Sequence, residues 1–599
     1  MKRTTAVLTP LLLAGFLLGD VVSLPAGPAA VAPRVERTVL AGQAWRPLSA
    51  SEASVREAAE AAGTAAEPLA ATSTGGELQT GVIETDDFTV LGLTWDPAAG
   101  DPVDLRVRVR ESGTWSAWQP LATNDEGPDA GTEEYERASA TAGTDPFVTA
   151  GADAVQVSVD GTVPSAPELE VVTIDPGEDD GTGTDVGTVP LSGASAASSQ
   201  PAVVSRAQWG AQESLRTCTP SFSSTVKAAV VHHTAGTNNY TAAQSAGIVR
   251  GIYAYHTQSL GWCDVGYNVL VDKFGTVYEG RYGGIDKAVR GAHSGGFNNE
   301  TFGVSAMGNY EEVAAPPALV QAITRVVGWK LARYGRNAAG TTTLTSAGGG
   351  TSRYADGAQV TVPVVLGHRD VGLTACPGRN LYSQLGAIRA EAGVVTQLSS
   401  YVASVYGHLL GRVPGGSEVD FWVPIARADR WKAADGFTGS EEYRRRYITG
   451  AYVDVLGRTP DASGMAFWLD RLATGKVGLD AIRPTFMDSA EFYQRAGGTD
   501  GGFVGNLYSR ALSRQASSSD ITFWTGQLRT SGRAAVISSI YGSPESARNR
   551  VDRAYRQWLG RPAAASERAY WESTVLQRGD EFMRMSAMVS QEYFLKAQP

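Results

Sequence analysis

A chain of 599 residues is longer than one hydrophobic core organises, and at roughly 100 to 200 residues per domain it implies three or four units. Hydrophobic residues make up 43% of it, ample for folded domains, while a formal charge of −11 excludes the basic surface that a nucleic-acid partner requires. The same charge weakens simple attraction to polyanions.

Residues 1–30 begin Met1-Lys2-Arg3, run through an apolar stretch from Ala6 to Gly19 and end on small residues near Ala29-Ala30, the order of a secretory signal peptide. The stretch falls short of the ~20 apolar residues that span a bilayer and is broken by Thr9-Pro10, so a secreted or cell-wall protein with no transmembrane span is expected. Residues 31–82, rich in Ala, Glu, Ser and Thr, read as a flexible lead with one helix around Ser51 to Ala62.

Over residues 83–176 the pattern turns to alternation, as in Phe88-Thr-Val-Leu-Gly-Leu-Thr-Trp95, Leu105-Arg-Val-Arg-Val-Arg110 and Val155-Gln-Val-Ser-Val159. Period-two runs between Gly, Pro and Asp clusters predict an antiparallel β-sandwich. Its Trp and Arg residues fit a sugar-binding face or a buried core, and a spacer role is the default. Residues 177–201 are a low-complexity linker.

Residues 202–395 mix element types. Strand-like runs at Ala228 to Val231, Tyr267 to Val271, Phe302 to Met307 and Val362 to Leu366 alternate with helical patterns at Thr241 to Tyr255 and Ala318 to Tyr334. The prediction is an α/β domain with a mixed central sheet flanked by helices.

From 400 to 599 the chain repeats. Leu410-Gly-Arg412, Leu456-Gly-Arg458, Leu512-Ser-Arg514 and Leu559-Gly-Arg561 are each followed, ten residues after the arginine, by Trp422, Trp468, Trp524 and Trp571. Helical flanks predict an all-α domain of four units, in which fixed Arg and Trp positions serve core and cap before they serve a ligand.

Histidine is scarce, with six in the chain, and five of them (His232, His233, His256, His293, His368) fall between positions 232 and 368. A catalytic zinc asks for three ligands from His, Cys or carboxylate on rigid elements and a fourth position left open. His232 follows one predicted strand and His368 another, so adjacent strand ends would aim both rings at one point. Cys376 lies eight residues past His368, in a loop closed by Pro377-Gly378 that can return its thiolate to the same place. Each residue alone reads as core, a satisfied histidine or a small buried hydrophobe.

Together, His232-His233-Thr234-Ala235-Gly236, Gly261-Trp-Cys-Asp-Val-Gly-Tyr-Asn268, Gly291-Ala-His-Ser-Gly-Gly-Phe-Asn298 with Gly303 to Asn309, and Gly367 to Gly378 resemble the ordered motifs of zinc-dependent N-acetylmuramoyl-L-alanine amidases of the peptidoglycan recognition protein type. The resemblance implies zinc held by His232, His368 and Cys376, with Tyr267 and Thr374 as polar catalytic groups beside it. It implies a substrate groove at His233, Trp262, Arg281, His293 and Asn298, with muropeptides as partners. Zinc suits amide hydrolysis because it lowers the pKa of a bound water to ~7 and polarises the carbonyl. Many bacterial relatives carry a glutamate where Gly303-Val-Ser305 has serine, which removes one candidate base and shifts weight to Tyr267.

With Cys376 assigned to metal, Cys218 and Cys263 are expected to pair in a disulfide, as export allows. The repeats resemble a bacterial domain of unknown function with a Leu-Gly-Arg-x-Pro-Asp and Trp signature, best matched around Asp461. Attachment to the wall or cell surface through them is an expectation without a chemical basis. Two alternatives stay open on the sequence: a module that binds peptidoglycan without cutting it, and a surface adhesion protein working through its repeats.

Overall fold

The structure is a computed structural model that describes residues 32–43, 45–47, 78–102, 104–159, 169–177 and 200–598. The expected signal peptide, the helix around Ser51 to Ala62 and most of the linker lie outside the described residues.

The first domain is an antiparallel β domain. Its sheet runs in the order Arg34–Val39, Glu170–Asp175, Ile83–Trp95, Phe147–Val159, Leu78–Thr80 and Trp45–Pro47, and Arg106–Glu111 also pairs with Phe147–Val159. Three of these strands lie inside the stretch 31–82, so that stretch is not only a flexible lead. Arg34–Val39 pairs in full register with Glu170–Asp175 and forms the sheet's edge.

Alternation along the central strands sends side chains to two different cores. Leu91, Leu93, Trp95 and Val171 pack with Leu105, Val107 and Val157 inside the β domain. Their neighbours Val90, Val172 and Ile174, together with Val148, pack instead against Ile248, Val249, Ile252 and Tyr255 of the next domain. The β domain therefore does not stand apart: it shares an apolar core with its neighbour. Gly92 shows how tight the join is, since a Cβ there would overlap the Tyr255 ring, whose hydroxyl donates to Thr144 O at 2.9 Å.

The second domain has a six-stranded mixed sheet in the order Val203–Val204, Val277–Glu279, Val269–Val271, Thr301–Ala306, Ala228–His233 and Val365–Gly367. Only the hairpin of Val269–Val271 with Val277–Glu279 is antiparallel among these pairs. Helices Pro317–Arg333 and Arg379–Leu410 cover one face through Ile323, Val327, Leu331, Leu385 and Ile388, and helix Ser245–Ala254 is sandwiched between the other face and the β domain. Cys218 and Cys263 form a disulfide.

Helix Arg379–Leu410 runs straight through the expected break at 395–400, so the second and third domains share one rod of 32 residues. Beyond it the chain is helical to Lys596. Leu-Gly-Arg marks the end of a helix: Gly411, Gly457 and Gly560 take left-handed φ of 70°, 68° and 69°, the conformation that terminates a helix without a Cβ clash. In the third copy Ser513 holds φ 57° in glycine's place. The next arginine lies over a tyrosine six residues back, as Arg458 does over Tyr452 at 4.9 Å, and forks onto a glutamate near the start of a later helix, as Arg458 does onto Glu491. Trp468 is buried and Trp422, Trp524 and Trp571 pack on the same core, the structural role expected of them.

Candidate metal centre

Strand Ala228–His233 lies between two parallel neighbours, and Val231 is in register with Gly367. The pairing places His232 at one strand end beside His368, the first residue past the other, with ring centroids 4.6 Å apart. Cys376 returns on the loop that follows. Its Sγ accepts the His233 N–H at 3.3 Å and sits 3.7 Å from His232 Nδ1, and its own N–H donates to Thr374 Oγ1 at 2.9 Å.

A fourth donor comes from the β domain. Glu126 Oε1 lies 3.0 Å from His232 Nδ1, and Glu126, His232, His368 and Cys376 present ligand atoms all within 4.8 Å of one another, every residue buried. Zinc with bonds of about 2.0–2.3 Å spaces tetrahedral ligand atoms roughly 3.3–3.8 Å apart, close to the spacing found here. Glu126 Oε2 and both ring nitrogens of His368 are buried without a hydrogen bond, a cost a folded protein rarely carries unless something else satisfies the atoms. Two imidazoles, a thiol and a carboxylate form a donor set that fits zinc.

The protonation states follow from burial. Desolvation holds His368 down at about 3 and His232 well below the usual imidazole value, so both rings are neutral and free to ligate. Burial, and then the nearby Asp145 and Asp125 carboxylates, push Glu126 well up, and burial does the same to the Cys376 thiol. A divalent cation reverses that balance by rewarding the ionised forms.

Tyr267 is buried beside His232, with ring centroids 5.6 Å apart, and its phenol neighbours Glu126. The Thr374 hydroxyl neighbours Asp125, whose Oδ1 is 3.5 Å from His368 Nδ1. His293, expected in the groove, instead stands behind His232, with Nδ1 3.1 Å from His232 Nε2. With a metal on Nδ1 of His232, the ring's proton would sit on Nε2 and be donated to His293, which would fix the ring's orientation. His233 is a neighbour of the donors and not one of them. Its Nδ1 accepts the Tyr310 N–H at 3.1 Å, and its contribution to the site is the backbone N–H given to Cys376.

Among curated proteins, peptidoglycan-recognition protein SC2 of Drosophila simulans is 34% identical over 185 residues, spanning 31% of this chain and 84% of that protein. The chain belongs to the peptidoglycan-recognition protein family. Residues 222–379 match the family described as N-acetylmuramoyl-L-alanine amidase, and peptidoglycan recognition protein 1 of Bos taurus is 35% identical over 193 residues, 32% of this chain and 86% of that one. The solved structure titled Endolysine N-acetylmuramoyl-L-alanine amidase LysCS from Clostridium intestinale URNW covers 32% of this chain and 96% of its own, at 24% identity and a TM-score of 0.23. Outside the recognition-protein region, residues 49–181 match a galactose-binding domain-like family named for the Rv3811 N-terminus, and residues 444–482 and 483–550 match a domain of unknown function, DUF4214.

Set against this recognition-protein site, the residue that sequence reading missed is Glu126. It belongs to Asn124-Asp-Glu-Gly-Pro-Asp129, a composition that reads as a turn between strands. The available signal was indirect: Val90-Leu-Gly-Leu93 and Val171-Val-Thr-Ile174 are apolar on both faces, the mark of strands covered on both sides. That pattern says a second layer docks on the β domain, without saying which loop the docking carries into the site.

Proposed function

We propose that the chain is an exported peptidoglycan amidase that hydrolyses the bond between N-acetylmuramic acid and the L-alanine of the stem peptide. The observation that carries the reading is the buried convergence of His232, His368 and Cys376 with hydrogen-bond-free nitrogens on His368, in a chain whose relatives are named as peptidoglycan-recognition proteins and whose matching family is named as this amidase. Zinc held by these residues supplies a Lewis acid and an activated water at neutral pH.

The chain's own groups do the rest. Burial, and next the neighbouring Glu126 carboxylate, keep the Tyr267 phenol far above its ordinary pKa, so it stays a donor across physiological pH and can donate to the scissile carbonyl oxygen as negative charge grows there. His293 orients His232. Thr374 receives the Cys376 N–H and so shapes the loop that delivers the thiolate. Ser305 lies directly across the strand pair from His232, so no carboxylate arrives from that strand.

The test is mass spectrometry of muropeptides incubated with the zinc-loaded chain and with its Glu126→Ala variant, before and after chelation and zinc return. Release of intact stem peptide by either, lost with chelator and restored by zinc, supports the amidase. Intact substrate from both, with muropeptide bound, moves the reading to a binding module. Wall attachment through the repeats is tested separately by wall pull-down of a chain ending after Leu410, since truncation at 400 would cut a helix; unchanged retention sets that role aside.

A further inference from the structure

We propose that Glu126 is a fourth protein ligand to the metal, and that the loop and short helix from Asn124 to Ala138 occupy the substrate groove, so that the folded chain is latent until this segment is withdrawn. The inference deepens the amidase reading and rests on it.

The ligand geometry comes first. Catalytic zinc sites keep one position open, and structural sites close it with a fourth residue. Here a carboxylate of the same chain joins the His232, His368 and Cys376 donors, all four ligand atoms lying within 4.8 Å of one another, with Oε1 3.0 Å from His232 Nδ1 and Oε2 buried without a hydrogen bond. The Glu126 side chain is buried among the two histidines and the thiol, and its Oε2 has no hydrogen-bond partner among the described residues. An isolated buried carboxylate is costly unless it is paired or bound to metal.

The segment's other contacts fall on the residues assigned to substrate. Asn298 Nδ2 donates to Gly127 O at 2.8 Å and to Asp129 Oδ1 at 2.9 Å. Arg281 pairs with Glu134, and Glu134 Oε1 also accepts the Cys263 N–H at 3.0 Å, next to Trp262. Tyr267 and Thr374, the polar groups beside the donors, face Glu126 and Asp125. Residues 126–129 are buried. A segment carrying carboxylates at 125, 126, 129 and 134 thus takes the Asn298 and Arg281 donors that an anionic glycopeptide would use. The shared apolar core around Val90, Val148 and Tyr255 holds the β domain in place, so the segment competes as a tethered ligand at high effective concentration. Asp129 and Glu134 contact Asn298 and Arg281, which lie outside the donor set, and a simple structural metal site would not require those contacts.

The experiment replaces zinc with cobalt(II) in the full-length chain and adds azide, a small anion that enters an open coordination position and changes the visible spectrum. In the wild-type chain the spectrum is expected to stay unchanged by azide. In the Glu126→Ala chain azide is expected to shift it, and muropeptide hydrolysis to rise about 100-fold, the gain when a competent state of roughly 1% becomes the main one. A wild-type cobalt spectrum that responds to azide overturns the proposal without reference to any variant, and so holds even where Glu126→Ala fails to fold. A wild-type chain that cleaves muropeptides and loses that activity in Glu126→Ala also overturns it and makes Glu126 a catalytic residue. Azide binding confined to the variant, with no hydrolysis by either chain, supports the fourth ligand while the amidase reading itself fails.

Discussion

Replacing Gly92 by alanine tests whether the β domain and the recognition domain are one cooperative body. The new methyl would lie within the Tyr255 ring, far inside the about 3.5–4.0 Å of a normal carbon contact. Tyr255 has no free path, because it is fully buried and its hydroxyl donates to Thr144 O at 2.9 Å, with Leu93 O at 3.4 Å. If the surroundings yield, overpacking costs about 1–3 kcal/mol. If the ring is expelled, the hydroxyl's hydrogen bond at about 1 kcal/mol and about 2 kcal/mol of aromatic burial are lost. We expect a loss of about 1–3 kcal/mol, which at about 2 °C per kcal/mol for a body of this size lowers the midpoint by about 2–6 °C. Differential scanning calorimetry of the full-length chain reads it, with Gly81→Ala as control because its Cβ meets nothing within 4 Å. A separate melt for the β domain, with the recognition domain's transition unmoved by Gly92→Ala, would refute the shared-core reasoning.

Four further outcomes are expected. His293→Ala should weaken zinc about 10- to 100-fold through loss of the hydrogen bond that orients His232; chelator competition giving unchanged affinity would count against this role. Tyr267→Phe, made in whichever chain is active, should cut turnover roughly 100-fold or more while zinc content by elemental analysis stays the same, and full activity would sink its assignment. Ser513→Gly should stabilise the repeats by about 1 kcal/mol by removing a side chain from a left-handed φ of 57°; a lower melting point would contradict the helix-end account. The repeats should also weaken in acid. Arg412, Arg458 and Arg561 hold Glu418, Glu491 and Glu567 down at about 2. Because these folded values lie below the unfolded ones, the stabilisation is full above about pH 4.5. It is lost as pH falls toward 2, and added salt should blunt it because the pairs are part-exposed. Circular dichroism melts that do not change over this range would refute it.

Much of the centre could be read locally. A strand ending in His232-His233, another running into His368, and a Pro-Gly loop returning Cys376 are short-range patterns, and a parallel pairing of two such strand ends suffices to bring the rings together. The helix stops at Leu-Gly-Arg were equally legible, since a left-handed terminus is a local demand that glycine meets. Other features had no local signature. His293 sits behind His232 because its loop packs over the interior strand at Gly303, where a Cβ would meet the His293 ring, and nothing in its own sequence says so. The join of the second and third domains along Arg379–Leu410 was invisible because a continuous helix carries no boundary residue. Above all, Asp125 and Glu126 lie in a polar turn whose composition is indistinguishable from a solvated loop. Only the docking of Val90, Val172 and Ile174 onto helix Ser245–Ala254 aims that turn at the metal donors. Periodicity reports which face of an element is buried, but which loop meets which site depends on complementarity between surfaces far apart in the chain, and that is settled only when the domains pack.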